Sequence, residues 1–490
     1  MAWPSKPTPR AVMHAVGRNR AQRSERTSMT LTDTARDGIA DQVAAIREHV
    51  SAPVAMPGEA GYERCTPWNV AADVRPAAVV LATSAPDVAD TVRFAAARGL
   101  RVTVQATGHG ATGVGADTIL IVTSGMSTCA VDAMNRIARV GAGVRWQQVL
   151  DAACPYGLAP VVGSAPGVGV VGFLTGGGIG PLVRTLGASS DYVRAFELVT
   201  GTGEVLRVTP DDHADLFWGL RGGKATLGIV TSVEFDLLPI PEFYGGTVYF
   251  DGADAPAVVR AWADWCGGLP ETVNTSIALQ QLPPLPGVPE PLAGRLTVAV
   301  RFAAVGDFAE AERILAPMRA VAAPLMDTVG VLPYAAVGAV HADPVDPMPV
   351  YEDHTLLHSF DPAAAEALLG VAGPGSESVQ VIVEVRHLGG ALAREPQHRS
   401  ALCHRDAAFA LTTIGALVPP IVEVVPVHAA AVMSALGRWS TGGQLPNFAP
   451  SMEPGRAARV YTEDARHWLA ALAERYDPSG VFRTGQVVRS

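Results

Sequence analysis

The sequence predicts an α+β fold organised in two domains, and three observations support this prediction. The chain has 490 residues, which exceeds the length that one hydrophobic core usually serves. Helix and strand patterns follow one another between residues 84 and 240. Beyond residue 240, strand candidates alternate with alanine-rich helices. This change in texture predicts a domain boundary close to residue 240.

The first clear element is a helix that begins after Ser84. Asp87 follows three residues later, as in a capping box. Apolar residues then recur at helical spacing, and Gly99 predicts the end of the helix. Residues 100–105 alternate between apolar and polar side chains, which predicts a strand. A glycine-containing loop at 106–110 follows this strand.

Similar patterns predict the other elements. Residues 191–209 are typical of a hairpin and residues 228–240 of a strand. A proline cluster at 283–291 predicts a surface loop, and residues 465–476 predict a last helix. In the second block the strand candidates are 245–250, 296–304, 379–390 and 407–417, and the helix candidates are 307–321 and 424–437.

Residues 163–180 contain eight glycines, too many for the interior of a helix or strand. The stretch GVGVVG at 167–172 matches the dinucleotide fingerprint G-x-G-x-x-G, with Asp191 near the position of the ribose-binding acid. However, Pro166 precedes it where a strand is required, and more glycines follow where a helix is required. Two interpretations remain: an extended anionic ligand held by backbone N–H groups, or a glycine-rich turn region that binds nothing.

His109 lies between Gly108 and Gly110 in the loop after the predicted strand. A metal-binding role is disfavoured because no second His, Cys or carboxylate stands nearby at ligand spacing. Two interpretations stay open from the loop alone. His109 is either a surface turn residue or a nucleophile, since the flanking glycines leave room for a large flat ligand beside the imidazole.

The composition excludes several classes of function. A net charge of −10 gives no field that attracts nucleic acid or anionic lipid, so an enzyme of small-molecule metabolism fits better. The five cysteines are dispersed, which argues against a disulfide framework and a zinc site; Cys129 and Cys154 are expected to be small buried hydrophobic residues. The sequence contains no stretch of 18 or more apolar residues, so no membrane span is predicted. Residues 1–31 are basic and lack the apolar stretch of a secretory signal, so we expect a disordered extension and a cytoplasmic protein.

Together, the ordered motifs resemble the FAD-linked oxidases of the vanillyl-alcohol-oxidase and p-cresol-methylhydroxylase (PCMH) superfamily, in the berberine-bridge-enzyme-like branch. The resemblance covers roughly residues 60–490 and rests on the order and spacing of several stretches. These stretches are RPAAVVLATSAPDVADTVRFAAARGLRVTVQATGHG, GVRWQQVLDAACPYGL, GSAPGVGVVGFLTGGGIGPLVRTLGASSDYV, DLFWGLRGGKATLGIVTSVEF, VEVRHLGGA, CHRDAAF and the ending NF…ALAERYDPSGVFRTGQVV.

The resemblance implies a PCMH-type FAD-binding domain in two parts, residues 32–240 and 446–490, with a substrate domain inserted at 241–445. The inserted domain is expected to be an antiparallel sheet covered by helices. His109 matches the family's flavin-linked histidine, which is bonded to the 8α-methyl carbon of the ring. The residues that the resemblance implies around FAD are Gln105, Ala106, Thr107, Gly108, Gly110, Ser164, Gly167, Gly169, Gly172, Gly176, Gly177, Gly178, Ile229, Asn447 and Gln486.

Three positions depart from the family pattern. Some relatives carry a second flavin-linked residue, a cysteine, where this chain has Ala165, so we expect a single covalent link through His109. Many relatives carry a tyrosine where this chain has Leu445, and plant relatives carry Glu or Gln near Thr413. The usual deprotonating groups are therefore missing from the sequence.

The strand at 379–390 offers a replacement for them. Because side chains alternate along a strand, Glu384 and Arg386 share one face, and Val385 and His387 take the other. The resemblance implies that this strand lies over the flavin, which makes Glu384 a candidate general base and Arg386 a group that orients it or the substrate. The alternative is a structural ion pair on a solvated face. Weaker candidates are Tyr351, His354 and His358.

The function that the resemblance implies is that of an FAD-dependent oxidase. Hydride passes from a substrate C–H beside O or N to flavin N5, and dioxygen accepts the electrons. The implied substrates are small molecules such as sugars, amines, alcohols and secondary metabolites, and the missing tyrosine favours a natural-product tailoring step. Two alternatives stay open: a flavin dehydrogenase with a non-oxygen acceptor, and a protein that binds flavin or a metabolite without turnover.

Overall fold

The computed structural model describes residues 42–224, 227–448 and 455–483, and the predicted extension at 1–31 lies outside these ranges. Within them, seventeen strands form three sheets. Helices alternate with the strands along the chain. The prediction of an α+β fold is therefore confirmed.

The first sheet contains four strands from the N-terminal part of the chain. They are β1 (Val54–Ala55), β2 (Ala78–Leu81), β3 (Arg101–Gln105) and β4 (Thr118–Val122). The spatial order is β1–β2–β4–β3, and β4 pairs in parallel with both β2 and β3. Helix α1 (Ala85–Ala96) connects β2 to β3 and begins with the predicted capping box of Ser84 and Asp87. Strand β3 then leads directly into the loop that carries His109.

The second sheet is antiparallel and contains five strands. They are β5 (Cys129–Asp132), β6 (Ile137–Gly141), β7 (Val193–Val199), β8 (Val205–Val208) and β9 (Ile229–Asp236). Their spatial order is β5–β6–β9–β7–β8, and β7 with β8 forms the predicted hairpin. The helices of this region are α2 (Trp146–Ala153), α3 (Val170–Thr175), α4 (Val183–Leu186) and α5 (Ala214–Leu220).

Helix α3 corrects the expectation that the glycine run 163–180 contains no helix. Gly172 lies in its interior, and Thr175 donates a hydrogen bond from its hydroxyl to the carbonyl of Val171 at 2.9 Å. Val170 and Leu174 are buried in the core. A short apolar run therefore outweighs the low helix propensity of one glycine, which costs only about 1 kcal/mol.

The cysteines are free thiols within the described ranges. Cys129 and Cys154 are half-buried, which corrects the expectation that both are buried. Cys129 lies on β5, the edge strand of the second sheet, and Cys154 begins a short turn after α2. Both positions keep part of the side chain in contact with water.

The third sheet contains eight antiparallel strands, all from residues 242–416. They are β10 (Glu242–Asp251), β11 (Val273–Gln281), β12 (Leu296–Ala304), β13 (Met326–Asp327), β14 (Gly330–Pro333), β15 (Val350–Leu357), β16 (Ile382–His387) and β17 (Phe409–Ala416). The order is β13–β10–β12–β11–β16–β17–β15, with β14 on β10. The helices are α6 (Ala255–Cys266), α7 (Phe308–Arg319), α8 (Pro362–Ala372) and α9 (Val424–Ala435).

The two faces of the third sheet differ in chemistry. The four helices cover one face and form a continuous apolar core with it, as predicted for this region; core members include Trp262, Leu315, Leu368, Val432, Val300, Val385 and Leu411. The opposite face, called the polar face below, carries buried charged side chains beside a smaller apolar cluster that includes Tyr249, Ala278 and Ala299. In register across it lie Arg301 of β12, Ser276 of β11 and Arg386 of β16. The alternation of side chains along each strand thus places polar groups on the face turned away from the helices.

The C-terminal segment packs on the N-terminal part of the chain. It contains α10 (Arg456–Val460) and α11 (Glu463–Tyr476). The amide of Val102 on β3 donates to the carbonyl of Val481 at 2.9 Å, and Gly201 donates to Tyr476 at 2.8 Å. Because these contacts return the end of the chain to the first two sheets, we propose that 32–240 and 446–490 form one domain around the inserted residues 241–445. None of the helices in the described ranges has the length and hydropathy that a membrane crossing requires.

Candidate active site

The loop that carries His109 is shaped by a close backbone approach. Gly108 has a φ of 76°, which L residues other than glycine rarely adopt. A Cβ atom there would lie 2.5 Å from Cα of Pro67. The glycine is therefore required by the neighbouring backbone, which corrects the expectation that Gly108 clears space for a flavin. At Gly110, the nearest atom that a Cβ would meet is Nζ of Lys224, at 3.9 Å.

The imidazole of His109 is fixed and neutral. It stacks on the indole of Trp68, with the ring centroids 4.8 Å apart and the planes at 12°. Its Nδ1 lies 2.9 Å from the hydroxyl of Thr107. Burial and, to a smaller extent, the positive charge of Arg145 lower the pKa of His109 to about 4. At neutral pH one ring nitrogen therefore keeps its lone pair, as a nucleophile must.

Two loops meet beside His109 and, among the described residues, leave the open sides of two glycines uncovered. A Cβ at Gly169 would lie 3.4 Å from Cβ of Ala106, so the loop before α3 packs on the His109 loop. Cβ atoms at Gly167 and Gly172 would meet nothing within 4 Å among the described residues. Such a space fits a flat ring and a pyrophosphate whose oxygens accept backbone N–H groups. We refer to it as the glycine groove, bordered by His109, Gly110, Gly167 and Gly172.

Replacing Gly108 with alanine is expected to lower the free energy of unfolding by about 2–5 kcal/mol. A positive φ costs an L residue about 1–2 kcal/mol, and overpacking adds about 1–3 kcal/mol. Gly172→Ala is the matched control, because its methyl group enters the groove without a clash and favours α3 by up to about 1 kcal/mol. We expect this control to keep its stability and lose bound flavin. Chemical denaturation measures both variants, and a Gly108→Ala protein as stable as wild type would contradict the prediction.

The glycines at 176–178 do not open onto the glycine groove. Cβ atoms at Gly176, Gly177 and Gly178 would come closer than 3 Å to the side chains of Asn447, Leu402 and Phe173, respectively. Protein atoms thus fill the space that these glycines leave. These glycines are required by the packing of Asn447, Leu402 and Phe173, and their contact with FAD stays a prediction.

Other residues that the resemblance implied around FAD have mixed positions. Gln105 is buried, and its Nε2 donates to the carbonyl of Cys65 at 3.3 Å, so this side chain anchors the neighbouring segment. Ser164 is half-buried at the start of the loop before α3. Ile229 is the first residue of β9. The pairing of β9 with β6 begins three residues later, at Ser232. Gln486 lies outside the described residues.

Asn447 and Lys224 form a contact at the edge of the groove. The Nδ2 of Asn447 donates to the carbonyl of Phe173 at 2.9 Å, and its Oδ1 accepts from Nζ of Lys224. Nζ of Lys224 also donates to the carbonyl of Gly172 at 3.3 Å. Sequence reasoning missed Lys224. The available signal was its rarity, since Lys6 is the other lysine of the chain.

Glu384 and Arg386 lie on the polar face of the third sheet and are buried. Arg301 donates from Nη1 to Oε1 of Glu384 at 2.9 Å, and Arg386 donates from Nη2 to Oε2 at 3.2 Å. Nε2 of His341 lies 3.2 Å from Oε1 of Glu384. Glu384 and Arg386 thus form the ion pair of the alternative interpretation, but this pair is buried and does not lie on a solvated face. Sequence reasoning missed Arg301 and His341, which reach Glu384 only through the fold.

Burial and charge determine the protonation of this cluster. Burial alone would raise the pKa of Glu384, but Arg386, Arg301 and His341 outweigh it and hold the pKa well below its usual range. Burial and the two arginines lower the pKa of His341 to about 4. A carboxylate that stays ionised so firmly is a weak proton acceptor. The geometry therefore favours a positioning role for Glu384.

The weaker candidates occupy different places on β15 and beyond it. His354 is buried on the polar face, with Nδ1 3.1 Å from the hydroxyl of Thr412 and its ring stacked on Phe448 at 4.8 Å. Burial lowers the pKa of His354 to about 3, so it stays neutral. Tyr351 lies on the opposite face of the strand. His358 is exposed, and its Nε2 lies 3.4 Å from the carbonyl of Arg438.

Glu352 is a further carboxyl group on the polar face, two residues before His354 on β15. It is half-buried. Burial and the nearby charge of Asp343 raise its pKa to about 7. Glu352 therefore exchanges its proton near neutral pH, as a general base must. Nothing in the sequence pattern marked this residue.

The segment 343–350 connects the His109 loop to β15. Asp343 acts electrostatically on both His109 and Glu352. Nε1 of Trp68, the stacking partner of His109, donates to the carbonyl of Val345 at 3.1 Å. This segment therefore places Glu352 on the same side of the molecule as the glycine groove.

The dinucleotide fingerprint at 167–172 lacks its structural context. Arg405 donates to both carboxylate oxygens of Asp191, at 3.1 and 2.5 Å, so this acid is engaged in an ion pair. The residues before Gly167 form a turn, in which Val168 donates to the carbonyl of Ala165 at 3.1 Å. The structure therefore contradicts a nicotinamide site of the Rossmann type here. No group of three His, Cys, Asp or Glu side chains in the described residues is arranged to hold a metal ion.

Sequence comparisons point to flavin proteins. The FAD binding domain family matches residues 76–209. The (R)-6-hydroxynicotine oxidase of Paenarthrobacter nicotinovorans is 29% identical over 462 residues, which cover 89% of this chain and 97% of the relative. The chitooligosaccharide oxidase of Gibberella zeae is 23% identical and covers 86% of this chain and 89% of the relative. An FAD-dependent monooxygenase of Aspergillus niger is 30% identical over 40% of this chain and 35% of its own length.

Solved structures share the fold. The 6-hydroxy-D-nicotine oxidase from Arthrobacter nicotinovorans has a TM-score of 0.79 at 25% identity, covering 90% of this chain and 98% of its own. A berberine-bridge-enzyme-like protein of Physcomitrella patens has a TM-score of 0.75 at 18% identity, covering 91% and 98%; at that identity it supports the fold alone. These similarities agree with the α+β architecture and with the open glycine groove, which fits FAD. The chain contains an FAD binding domain, is similar in sequence and fold to berberine-bridge-enzyme-like FAD-linked oxidases, and is an FAD-dependent oxidoreductase.

Proposed function

We propose that this chain is an oxidase that holds FAD in the glycine groove through a single covalent bond to His109. The observation that carries this proposal is the neutral imidazole of His109, fixed by Trp68 and Thr107 beside the groove. Only an unprotonated imidazole can attack an electrophilic carbon, and a pKa of about 4 keeps it in that form. Ala165 has no nucleophilic group, which supports a single link.

The bound flavin would accept a hydride from a substrate carbon and deliver the electrons to dioxygen. The protein supplies the tether and the groove on one side. On the other side, we propose that the polar face of the third sheet receives the substrate. Arg301, Ser276 and Arg386 form a row of donors on that face, which suits a substrate that bears oxygen or nitrogen.

We propose Glu352 as the proton acceptor for the substrate O–H or N–H. Its pKa of about 7 balances ionisation against basicity, whereas Glu384 is held ionised by two arginines. Glu384 then keeps Arg386 and His341 in position to contact the substrate. This assignment moves the general base from β16 to β15 and retains Glu384 and Arg386 as orienting groups.

The names of the similar proteins indicate a substrate class. One relative is named as an oxidase of (R)-6-hydroxynicotine, and another as an oxidase of chitooligosaccharides. We propose for this chain a small molecule with a C–H bond beside O or N, and a natural-product tailoring step as its setting.

Reoxidation of the chemically reduced protein tests the choice of electron acceptor without knowledge of the substrate. The purified protein is expected to be yellow, to lose its colour with one equivalent of dithionite, and to regain it in aerated buffer with formation of one hydrogen peroxide per flavin. Rapid reoxidation by a quinone dye with slow reoxidation in air would identify a dehydrogenase instead. A colourless protein would contradict the proposal altogether.

A further inference from the structure

Lysine is almost missing from this chain. Of its 37 Lys and Arg residues, only Lys6 and Lys224 are lysines. Arginine is always charged, whereas a buried lysine changes its protonation readily and presents a compact ammonium group. Lys224 is the single lysine among the described residues, which makes its surroundings worth inspection.

Lys224 joins three segments that border the glycine groove. Nζ donates to Oδ1 of Asn447 and, at 3.3 Å, to the carbonyl of Gly172. The same atom would lie 3.9 Å from a Cβ at Gly110. Neither acceptor is a carboxylate, and among the described residues Lys224 forms no ion pair. An ammonium group has three N–H donors, so within the described residues the two contacts leave one donor of the protonated amine without a partner.

The backbone of Lys224 is held in a costly conformation. Its φ is 57°, in the left-handed region that favours glycine, and it follows Gly222 and Gly223. An L residue costs about 1 kcal/mol or more there. Backbone strain of this kind persists where the surrounding structure imposes it, and it concentrates at functional sites. The position thus accepts a strained side chain where glycine would fit without strain.

We infer that the amine of Lys224 acts on the flavin in the glycine groove, as a cation that stabilises the negative charge which reduction adds to the ring. Lys224 is in this sense a positioning and tuning residue, because charge near the flavin sets its electronic properties. The inference rests on the proposed placement of the flavin in this groove.

The protonation of Lys224 agrees with this role. Burial and, to a smaller extent, Arg456 lower its pKa to about 7. The amine therefore takes up a proton easily when a negative charge forms beside it.

The midpoint potential of the bound flavin tests the inference in the holoenzyme. We expect Lys224→Met and Lys224→Gly to lower the equilibrium constant for two-electron reduction at least tenfold, which corresponds to about 30 mV. Lys224→Gly also removes the strain, so it guards against a loss of folding. Lys224→Arg is expected to stay within threefold of wild type. Arg260→Met, which removes one exposed positive charge on α6, is the control for net charge and should leave the potential unchanged.

Unchanged potentials in both Lys224→Met and Lys224→Gly would overturn the inference and reduce Lys224 to a structural bridge. Amine acylation mapped by mass spectrometry gives a second readout, using His109→Ala protein freed of flavin. Added FAD is expected to slow the labelling of Lys224 at least tenfold and to leave Lys6 unaffected; equal labelling with and without FAD would also overturn it. A wild-type protein with dissociable flavin would refute the covalent link alone, since the potentials remain measurable on bound flavin.

Discussion

Replacing His109 with alanine is expected to convert all acid-stable flavin into dissociable flavin. After precipitation with acid, wild-type protein should keep its yellow colour in the pellet, and His109→Ala protein should release its flavin into the supernatant. The physical reason is that His109 offers the neutral nucleophile at the groove, while Ala165 offers none. Flavin absorbance in the two fractions measures the effect.

Two further variants sharpen this test. His358→Ala removes an exposed histidine beyond β15 and should leave the flavin in the pellet. Thr107→Ala removes the hydroxyl 2.9 Å from Nδ1 and should slow the attachment without abolishing it. Wild-type flavin found entirely in the supernatant would refute the covalent link, and acid-stable flavin in the His109→Ala protein would place the bond on another residue.

Replacing Glu352 with glutamine is expected to slow flavin reduction by substrate by about 10²- to 10⁴-fold, the usual contribution of a general base. Burial and Asp343 raise the pKa of Glu352 to about 7. The carboxyl group is protonated below that pH and cannot accept a proton. The rate of flavin reduction in wild-type protein should therefore rise as the pH increases through about 7. This rise, the acidic limb of the pH–rate profile, should vanish in Glu352→Gln. Anaerobic stopped-flow reduction across a pH series measures both.

Asp343→Asn supplies the matched control for this pH dependence. Removing its negative charge lowers the pKa of Glu352, so the limb should move to lower pH while the maximal rate is retained. Glu384→Gln should instead keep the limb near pH 7 and lose stability, because it leaves buried arginines without their carboxylate. A limb that persists unchanged in Glu352→Gln would remove Glu352 from the proton transfer.

Local patterns in the sequence were sufficient to predict those elements whose geometry depends only on residues close together in the chain. The Ser84–Asp87 capping box fixes the start of α1 through contacts within four residues. Alternation along β16 correctly separates the side of Glu384 from the side of Val385, which is in the helix-covered core. Such patterns are set by the backbone geometry of one element and need no tertiary information.

The site itself depends on contacts that no local pattern contains. Gly108 was expected to border a ligand, yet the backbone of Pro67, 41 positions earlier, occupies its open side. Glu384 was expected to act as a base, yet Arg301 from β12 clamps it 83 positions away in the chain. The raised pKa of Glu352 depends on Asp343, which lies in a loop. In each case the register of the sheet or the path of a loop decides the chemistry.

The return of the C-terminal segment to β3 has a consequence for the biosynthesis of the enzyme. Asn447, which contacts the edge of the glycine groove, is synthesised 338 residues after His109. At about 5–20 residues per second, the histidine waits roughly 20–70 s for the last part of the groove. The third sheet and its four helices are complete by then. We therefore expect flavin attachment to follow completion of the chain, so that a purified fragment ending at residue 440 would carry His109 and the strands of the third sheet but no acid-stable flavin.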